Sequence, residues 1–432
     1  MSTQRSRTPG PSGHAIGRRT VLAAGGGLAV GAVLAACGSD TGRGGGATGA
    51  PELSQWYHQY GERGVEQAVR RYAREYRKAQ VEVQWRPGDY DQQTATALLS
   101  DSGPDVFETA GPTIDQIQAG QVTDLTDAIG DARADFNQAV LAPKIYQGKV
   151  YGIPQVVDMQ MLYYRKSMLA KAGVAPPSTL DGLVTAAMML TRDQVKGLFL
   201  GNDGGAGALS GTPFHAAGLS LVTLDGSVGF DDPAAAAALG KLHTLYADKS
   251  LLLGAPTDWS DPSAFIQGLT AMQWTGLWAL PKISQALGDD FGVLPFPSDG
   301  ARGKPSVQVG AYASTVSARS RRIDLARDYA RWLWVERTDL QTDFAQSYGL
   351  HIPARLSLAR QAPRLRSGPT ADAVRFTTEY GYAEPLLWTS RSRLALLDTM
   401  TQIIQNGADP AAECRGLVRT VADELTRVKA KN

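Results

Sequence analysis

One extended segment, residues 147–173, constrains the fold of this chain more than any other stretch. Gly148 and Gly152 bracket a short β-type run that ends at Pro154, and an apolar stretch with a single acid, Asp158, follows before a Lys/Ala-rich helical segment. Such a segment is typical of a connection that leaves one folded unit and enters another. The sequence therefore predicts two folded units, with Asp158 at their junction.

The length and the charge agree with two globular units and argue against one class of partner. The chain has 432 residues, of which 43% are hydrophobic and 20% charged, which is enough for two cores. Its net charge is +1, but four arginines precede the first acid, which leaves 39 basic against 42 acidic residues in the rest. This balance gives no electrostatic case for binding nucleic acid.

The N-terminal 51 residues are predicted to target and tether the protein. Residues 1–36 have the features of a signal peptide, with a twin-arginine pair at Arg18 and Arg19 and an uncharged run that is too short and Gly-rich for a permanent membrane helix. Cys37 follows Leu-Ala-Ala, as in a bacterial lipobox, so we expect it to carry lipid, including palmitate. A plain secretory signal with a small-residue cleavage site is the alternative. Residues 37–51 are Gly/Ser/Thr/Ala-rich and predict a flexible tether.

The first folded unit begins with a β-α-β pattern. Residues 52–60 predict a strand that runs into an aromatic loop, and an amphipathic helix and a second strand follow. A short buried strand further on ends at Glu108. Because ligands bind beyond the carboxyl ends of strands in open α/β sheets, we expect Glu108, Tyr57 and His58 to lie at one edge of a cleft.

The later elements alternate between the two predicted units. Residues 162–173 and 180–190 predict helices, and Asp232 predicts the N-cap of a long helix. Residues 309–312 and 349–355 predict a second and a third connection between the units. The last part of the chain is predicted to be mostly helical.

Several motifs together resemble one family. The order Gly-Lys-x-Tyr-Gly-x-Pro, an acid, Leu-Tyr-Tyr-x-Lys, Ala-Gly and then Pro177, Thr179 and Asp181 is similar to that of the extracellular solute-binding proteins of carbohydrate ABC importers, the maltose-binding-protein type. Residues 265–280 resemble the family's Phe-x-x-Gly-x-x-Ala-Met-x-x-x-Gly-x-Trp segment, which ends here at Trp278. The motifs are loose one by one, but their order and spacing are specific.

The resemblance implies a fold and a division of the chain. It implies an α/β, two-lobed periplasmic-binding-protein type II fold with a central cleft and a multi-strand hinge. The expected lobes are residues 52–156 with 309–351 for the first, and residues 157–308 with 352–432 for the second.

The resemblance also implies a function. We expect a monomeric receptor that is no enzyme, uses no cofactor or metal, and is anchored to the outer face of the cell membrane through Cys37. It would capture a sugar or oligosaccharide outside the membrane and deliver it to the transmembrane subunits of an ABC permease.

A sugar site needs groups that match a sugar. Carboxylates and amides bond the hydroxyls at the edge of the ring, and aromatic rings cover the apolar C–H faces. The candidate ligand-binding residues are Asp158, Trp278, Glu108, Tyr57, His58, Tyr312 and Trp388. The resemblance makes Asp158 the acid after the Tyr-Gly-x-Pro segment and Trp278 the flat sugar platform, whereas Trp274 is expected in the core. At Thr109 many relatives have an aromatic residue, so this chain departs from the pattern there.

Two alternatives stay open at this stage. The same fold could bind a polyamine, an amino acid or a metal chelate, since a cation could lie over aromatic faces with Asp158 as counter-ion. A secreted glycoside hydrolase would also have acids in a cleft, with Asp158 and Glu108 as its pair. The sequence contains no Gly-x-Ser-x-Gly elbow, His-Glu-x-x-His motif, Cys/His zinc spacing or EF-hand loop that would favour an enzyme or a metal site.

Overall fold

The computed structural model describes residues 50–431. The predicted signal peptide, the twin-arginine pair, Cys37 and nearly all of the predicted tether lie outside the described residues. Within residues 50–431, no helix is both long enough and apolar enough to cross a membrane.

One strand has nine residues and the others have seven or fewer, and most strands belong to one of two sheets. They are β1 (Glu52–His58), β2 (Gln80–Arg86), β3 (Val106–Thr109), β4 (Ile145–Tyr146), β5 (Lys149–Val150), β6 (Ile153–Pro154), β7 (Val156–Tyr164), β8 (Lys196–Phe199), β9 (Thr270–Gly276), β10 (Gly292–Leu294), β11 (Val307–Gly310), β12 (Ala313–Val316), β13 (Ile352–Pro353) and β14 (Gly381–Tyr382).

The helices surround both sheets. They are α1 (Val65–Glu75), α2 (Tyr90–Ala97), α3 (Ile114–Gln118), α4 (Thr126–Ile129), α5 (Gln138–Leu141), α6 (Lys166–Ala172), α7 (Leu180–Leu190), α8 (Ala206–Leu209), α9 (Thr212–Ala216), α10 (Pro233–Ala247), α11 (Ser263–Ile266), α12 (Leu280–Leu287), α13 (Ile323–Arg331), α14 (Thr338–Asp343), α15 (Leu356–Gln361), α16 (Gly368–Tyr380), α17 (Ser390–Ile404) and α18 (Pro410–Lys429). Short 3-10 turns occupy Gly130–Asp135, Ala142–Lys144, Leu277–Ala279 and Pro363–Leu365, and π-turns occupy Trp332–Glu336 and Phe344–Tyr348.

The first lobe is built on a five-stranded sheet in the order β2-β1-β3-β12-β6. Strands β2, β1 and β3 run parallel, and β12 is antiparallel to β3. Helix α1 buries Val65, Ala68, Val69 and Tyr72 on one stripe, as its spacing predicts. Helix α13, from a distant part of the chain, buries Tyr329 in the same core. The first lobe is therefore assembled from discontinuous pieces.

The second lobe is built on a larger sheet in the order β14-β11-β7-β9-β8, with β10 and β13 also paired to β7. Helices α7, α10, α17 and α18 share one core on this sheet, which includes Leu183, Leu242, Met400 and Val421. The predicted cap of α10 is confirmed, because a carboxylate oxygen of Asp232 accepts from the Ala234 N–H at 2.9 Å.

One predicted helix boundary is wrong. Residues 162–164 were assigned to a helix, but they continue β7 and pair with residues 272–274 of β9, and the helix begins only at Lys166. The apolar run fits either structure locally. Residues 162–164 form a strand because they pair with β9 on one side and with β10 on the other.

Three connections between the lobes meet and bond to one another. The backbone N–H of Gln155, between β6 and β7, donates to the carbonyl of Tyr312, between β11 and β12, at 2.8 Å. Gly310 lies opposite Asp158 in the β11–β7 pair, and Ile352 lies opposite Val157 in the β13–β7 pair. The connections therefore form one hydrogen-bonded hinge rather than three separate linkers.

An ion-pair chain runs through this hinge. His351 is 3% exposed, and its Nδ1 lies 2.5 Å from Asp158 Oδ1 while its Nε2 lies 3.4 Å from Glu62 Oε1. Burial by itself lowers the pKa of His351, but the attraction and hydrogen bonds of Asp158 and Glu62 outweigh it and raise that pKa to about 10. The imidazolium therefore links the first lobe, at Glu62, to the central strand of the second.

The raised pKa of His351 gives the hinge a testable pH dependence. A base whose pKa is higher in the folded than in the unfolded protein contributes stability below the unfolded value and loses it as pH rises to the folded value. We expect the difference in unfolding free energy between the parent and His351→Gln to be largest below the ordinary histidine pKa of 6.5 and to shrink towards a pH of about 10. Urea unfolding of both proteins at about pH 6 and about pH 9 measures this difference.

The Asp158→Asn variant tests why the effect of His351→Gln on the unfolding free energy depends on pH. In Asp158→Asn, the main attraction on the imidazolium is absent, so the same comparison should vary much less with pH. A parent-minus-variant difference that is equal at both pH values would contradict the assignment of His351 as a charged hinge residue.

Candidate ligand-binding cleft

A cleft of about 610 Å³ opens between the two lobes. The loop that follows β3, residues 109–113, and Lys144 line it from the first lobe. Gln160 of β7, Gln308 of β11 and the segment 383–390 line it from the second lobe. The cleft lies beyond the carboxyl end of β3, where a ligand site is expected in an open α/β sheet.

Glu108 lies in the cleft wall, but both of its carboxylate oxygens are engaged by the protein. It is 1% exposed. Oε1 accepts from the His58 N–H at 2.7 Å and pairs with the His58 ring, and Oε2 accepts from the Tyr60 hydroxyl at 2.8 Å. Glu108 lies next to the end of β1, as predicted. Its carboxylate holds His58 and Tyr60 in place through hydrogen bonds.

His58 and Tyr312 stack on each other beside this carboxylate. Their ring centroids are 4.3 Å apart at an interplanar angle of 18°. Burial, followed by the negative charge of Glu108, raises the pKa of Tyr312 above its usual range, so its hydroxyl stays neutral at any physiological pH. The pair stands next to the cleft, at the hinge, and outside the cleft lining itself.

Tyr57 does not face the cleft. Its side chain is 0% exposed and belongs to the core of the first lobe, where its hydroxyl accepts from Gln55 Nε2 at 2.9 Å. The reason is the alternation of a strand, because neighbouring residues of β1 point to opposite faces of the sheet. The expectation that Tyr57 joins a ligand site is corrected by this placement.

Asp158 lies in the hinge, where His351 occupies its Oδ1. Gln160 follows two residues later on β7 and lines the cleft, with its Oε1 accepting from Trp274 Nε1 at 2.9 Å. Trp274 is 0% exposed, in agreement with its predicted core position. Sequence reasoning missed Gln160, although the period of two along a strand places it on the same face as Asp158.

Trp388 lines the cleft, and its indole nitrogen makes no hydrogen bond to residues 50–431. Its ring packs edge-on against Phe230, with centroids 6.1 Å apart, and only 3% of the residue is exposed. Its indole Nε1, like Oε1 of Gln308, is buried with no hydrogen-bond partner among residues 50–431. Both atoms have almost no accessible surface, so they lie just behind the cleft wall, where the protein itself leaves them unsatisfied.

Trp278 lies elsewhere. Its Nε1 donates to the Ser260 carbonyl at 3.0 Å, its ring meets Trp259 edge-on at 5.9 Å, and it is not part of the cleft lining. Gly276 lies beneath the ring, where an added Cβ would come within 2.0 Å of it. Trp278 is half-buried with its indole N–H bonded inside its own lobe, and its role as a sugar platform stays a prediction.

The sequence also gave no reason to single out Lys144 and Glu384. Lys144 is 2% exposed, and burial lowers its pKa to about 8. Glu384 accepts from Ser210 Oγ at 2.7 Å and from the Arg393 guanidinium at 2.6 and 3.0 Å. Lys144 ends a short 3-10 turn, and Glu384 lies outside the helices and strands. Neither belongs to a motif, and only the tertiary structure brings them to the cleft.

The lobes also touch across the cleft. The Asp115 carboxylate of the first lobe pairs with both terminal nitrogens of Arg427 at 3.0 and 3.1 Å, and with Lys431 at 3.2 Å. Leu386 of the second lobe packs on a first-lobe cluster that contains Phe107 and Ile117. In the part of the chain that the structure describes, no group of three or more His, Cys, Asp or Glu side chains could hold a metal ion.

Comparison with known proteins identifies a family and confirms the fold. The model of the bacterial extracellular solute-binding proteins matches residues 67–373. A solved ABC transporter solute-binding protein from Thermotoga lettingae, bound with α-D-tagatose, superposes with a TM-score of 0.74 at 20% identity, over 87% of this chain and 100% of that one. The expected α/β fold with two lobes is therefore confirmed.

Two curated relatives match this chain in sequence. The diacetylchitobiose binding protein DasA of Streptomyces coelicolor is 27% identical over 275 residues, which are 59% of this chain and 61% of that protein. The galactooligosaccharide-binding protein of Bacillus subtilis is 24% identical over 94% of this chain and 96% of its own length. With a family model that covers most of its length and a matching fold, the chain belongs to the bacterial extracellular solute-binding proteins.

Proposed function

We propose that this protein captures a saccharide outside the membrane and delivers it to the transmembrane subunits of an ABC importer. The observation that carries the proposal is the lining of the cleft. The lining combines the amide side chains of Gln160 and Gln308, the indole of Trp388, and the charged side chains Lys144 and Arg393, the latter paired with Glu384. This is the mixture of donors, acceptors and aromatic surface that a sugar requires. Two relatives, the diacetylchitobiose binding protein and the galactooligosaccharide-binding protein, support the same ligand class.

The state of the acids argues against two other functions. A polyamine needs several free carboxylates, yet Glu108 is bonded by His58 and Tyr60, and Glu384 by Ser210 and Arg393, which leaves Asp91 alone among the acids that line the cleft in residues 50–431. A glycoside hydrolase needs one carboxyl group to protonate the leaving oxygen and one to attack or to activate water. Neither oxygen of Glu108 is left for such a role. The relatives are binding proteins, and the chain fits a non-enzymatic receptor.

Binding and closure are coupled in this proposal. The ligand contacts both lobes only when they are together, and this difference in contact shifts the lobes towards the closed form. The hinge permits the motion because the lobes are joined through a few short segments. The closed pair of lobes then presents a surface that the permease recognises.

The indole N–H of Trp388 gives a sharp test of the binding site. Trp388→Phe keeps the aromatic bulk and removes the N–H, so we expect saccharide affinity to fall about fivefold to tenfold through the loss of one buried hydrogen bond. Titration calorimetry after a thermal-shift screen of mono- and oligosaccharides measures this change. Trp278→Phe is the matched control and should leave affinity unchanged, because Ser260 already takes its N–H. If Trp278→Phe lost affinity and Trp388→Phe did not, the saccharide would bind at Trp278 and the assignment of Trp388 would be wrong.

The ion pair across the cleft tests closure. If Asp115 and Arg427 stabilise the closed form, Asp115→Asn should weaken saccharide binding about twofold to fivefold, within the range of exposed ion pairs. Asp101→Asn is the control, because its pair with Arg319 at 3.1 Å lies within the first lobe. Small-angle scattering with and without saccharide should show less compaction in Asp115→Asn. Equal affinity and equal compaction in both variants would contradict a closing role.

We also propose export and lipid anchoring through the N-terminal segment. Cys37→Ser should release the protein into the medium and abolish incorporation of labelled palmitate, and Lys at both Arg18 and Arg19 should block export. Cys414→Ser is the control, because that cysteine is buried in α18 and should leave anchoring intact. Continued membrane attachment of Cys37→Ser would overturn the anchor.

A further inference from the structure

Lys144 is a buried cation in the cleft wall without a carboxylate partner. Its Nζ donates to the Ala110 carbonyl at 3.1 Å, which uses one of its three N–H donors. No ion pair joins it to a carboxylate among residues 50–431, and its burial lowers the pKa of the ammonium to about 8. An ammonium in this position costs folding free energy that no neighbouring charge offsets.

The acids of the cleft do not serve as its counter-ion. Glu108 is bonded by His58 and Tyr60, and Glu384 is paired with Arg393. Asp91 lines the cleft as an exposed carboxylate on α2 and is not paired with Lys144. The electrostatic requirement that remains at Lys144 is therefore for a negative oxygen.

Packing keeps the Lys144 side chain in one place. A Cβ on Gly111, whose φ is +152°, would lie 3.8 Å from both Cγ and Nζ of Lys144, and a Cβ on Gly152 would lie 3.6 Å from its Cδ. The lysine thus runs between two glycines, and its ammonium ends beside the loop that lines the cleft. A charge held in this way is preorganised for a ligand group.

We propose that Lys144 forms a subsite for the carboxylate of an acidic sugar, so that the saccharide captured by this protein contains a uronic acid. The inference rests on the proposed saccharide function and narrows it. A hydroxyl or an acetamido carbonyl would accept a hydrogen bond from the ammonium, but only a carboxylate supplies both the acceptor and the opposite charge. The bonded pair then removes the cost of the buried ammonium.

Matched saccharides test this assignment. Titration calorimetry of the full chain in detergent compares digalacturonate with galactobiose, cellobiouronate with cellobiose, and both with N,N′-diacetylchitobiose. We expect an acidic member to bind about tenfold more tightly than its neutral counterpart, as for a charge-assisted against a neutral hydrogen bond. Lys144→Met should abolish this preference, and Lys149→Met, an exposed lysine on β5 near Asp124, should preserve it.

The free protein provides a second readout that a structural lysine would not give. Without ligand, Lys144→Met should raise Tm by about 2 °C, because an uncompensated buried charge is removed, and Lys149→Met should leave Tm unchanged. A fall in Tm with an unchanged preference would mean that Lys144 serves only to hold the Ala110 loop. That result would overturn the subsite.

The outcomes separate this inference from the function on which it rests. If neutral or N-acetylated saccharides bind as tightly as acidic ones, the carboxylate subsite is wrong and the saccharide receptor stands. If no saccharide binds, the proposed function fails, and the subsite fails with it.

Discussion

The structure depends on one unbroken strand, β7, that passes from the hinge into the second lobe. It pairs with β9 over residues 160–164, and with β13, β11 and β10 over successive stretches of its length. Because four strands take their register from it, β7 aligns most of the sheet. The same register sets Asp158 in the hinge and Gln160 in the cleft.

Polar groups near the cleft fall into two kinds, and the difference decides their roles. Glu108 is bonded to His58 at the end of β1, and Asp158 is paired with His351. Both acids therefore stabilise the hinge region. Trp388 Nε1 and Gln308 Oε1 have no partners among residues 50–431, and the Lys144 ammonium has no counter-ion there. A buried group that the protein leaves unsatisfied is costly, and a ligand gains affinity by satisfying it.

Sequence reasoning predicted elements better than it predicted where side chains point. The amphipathic α1 and the capped α10 follow from local patterns with a clear period or cap. A short apolar run such as residues 162–164 has no distinctive period, so its pattern fits a helix as well as a strand. The sequence does not show which face of the sheet a β1 side chain occupies, so it cannot place Tyr57. Trp278 matches its family motif, yet its indole bonds to its own lobe. Motif membership carries no information on that bond.

The sequence by itself determined the helices and strands with strong periodicity, because these depend on local patterns, and the order of its motifs pointed to the family and the two-lobed α/β class through resemblance. The tertiary structure decided which polar groups are engaged and which are free. Lys144, Glu384 and the Asp115–Arg427 pair are charged residues in irregular or exposed segments, without a period or motif to mark them. Their partners come from distant parts of the chain, and burial, charge and hydrogen bonding at the cleft arise only when both lobes are in place.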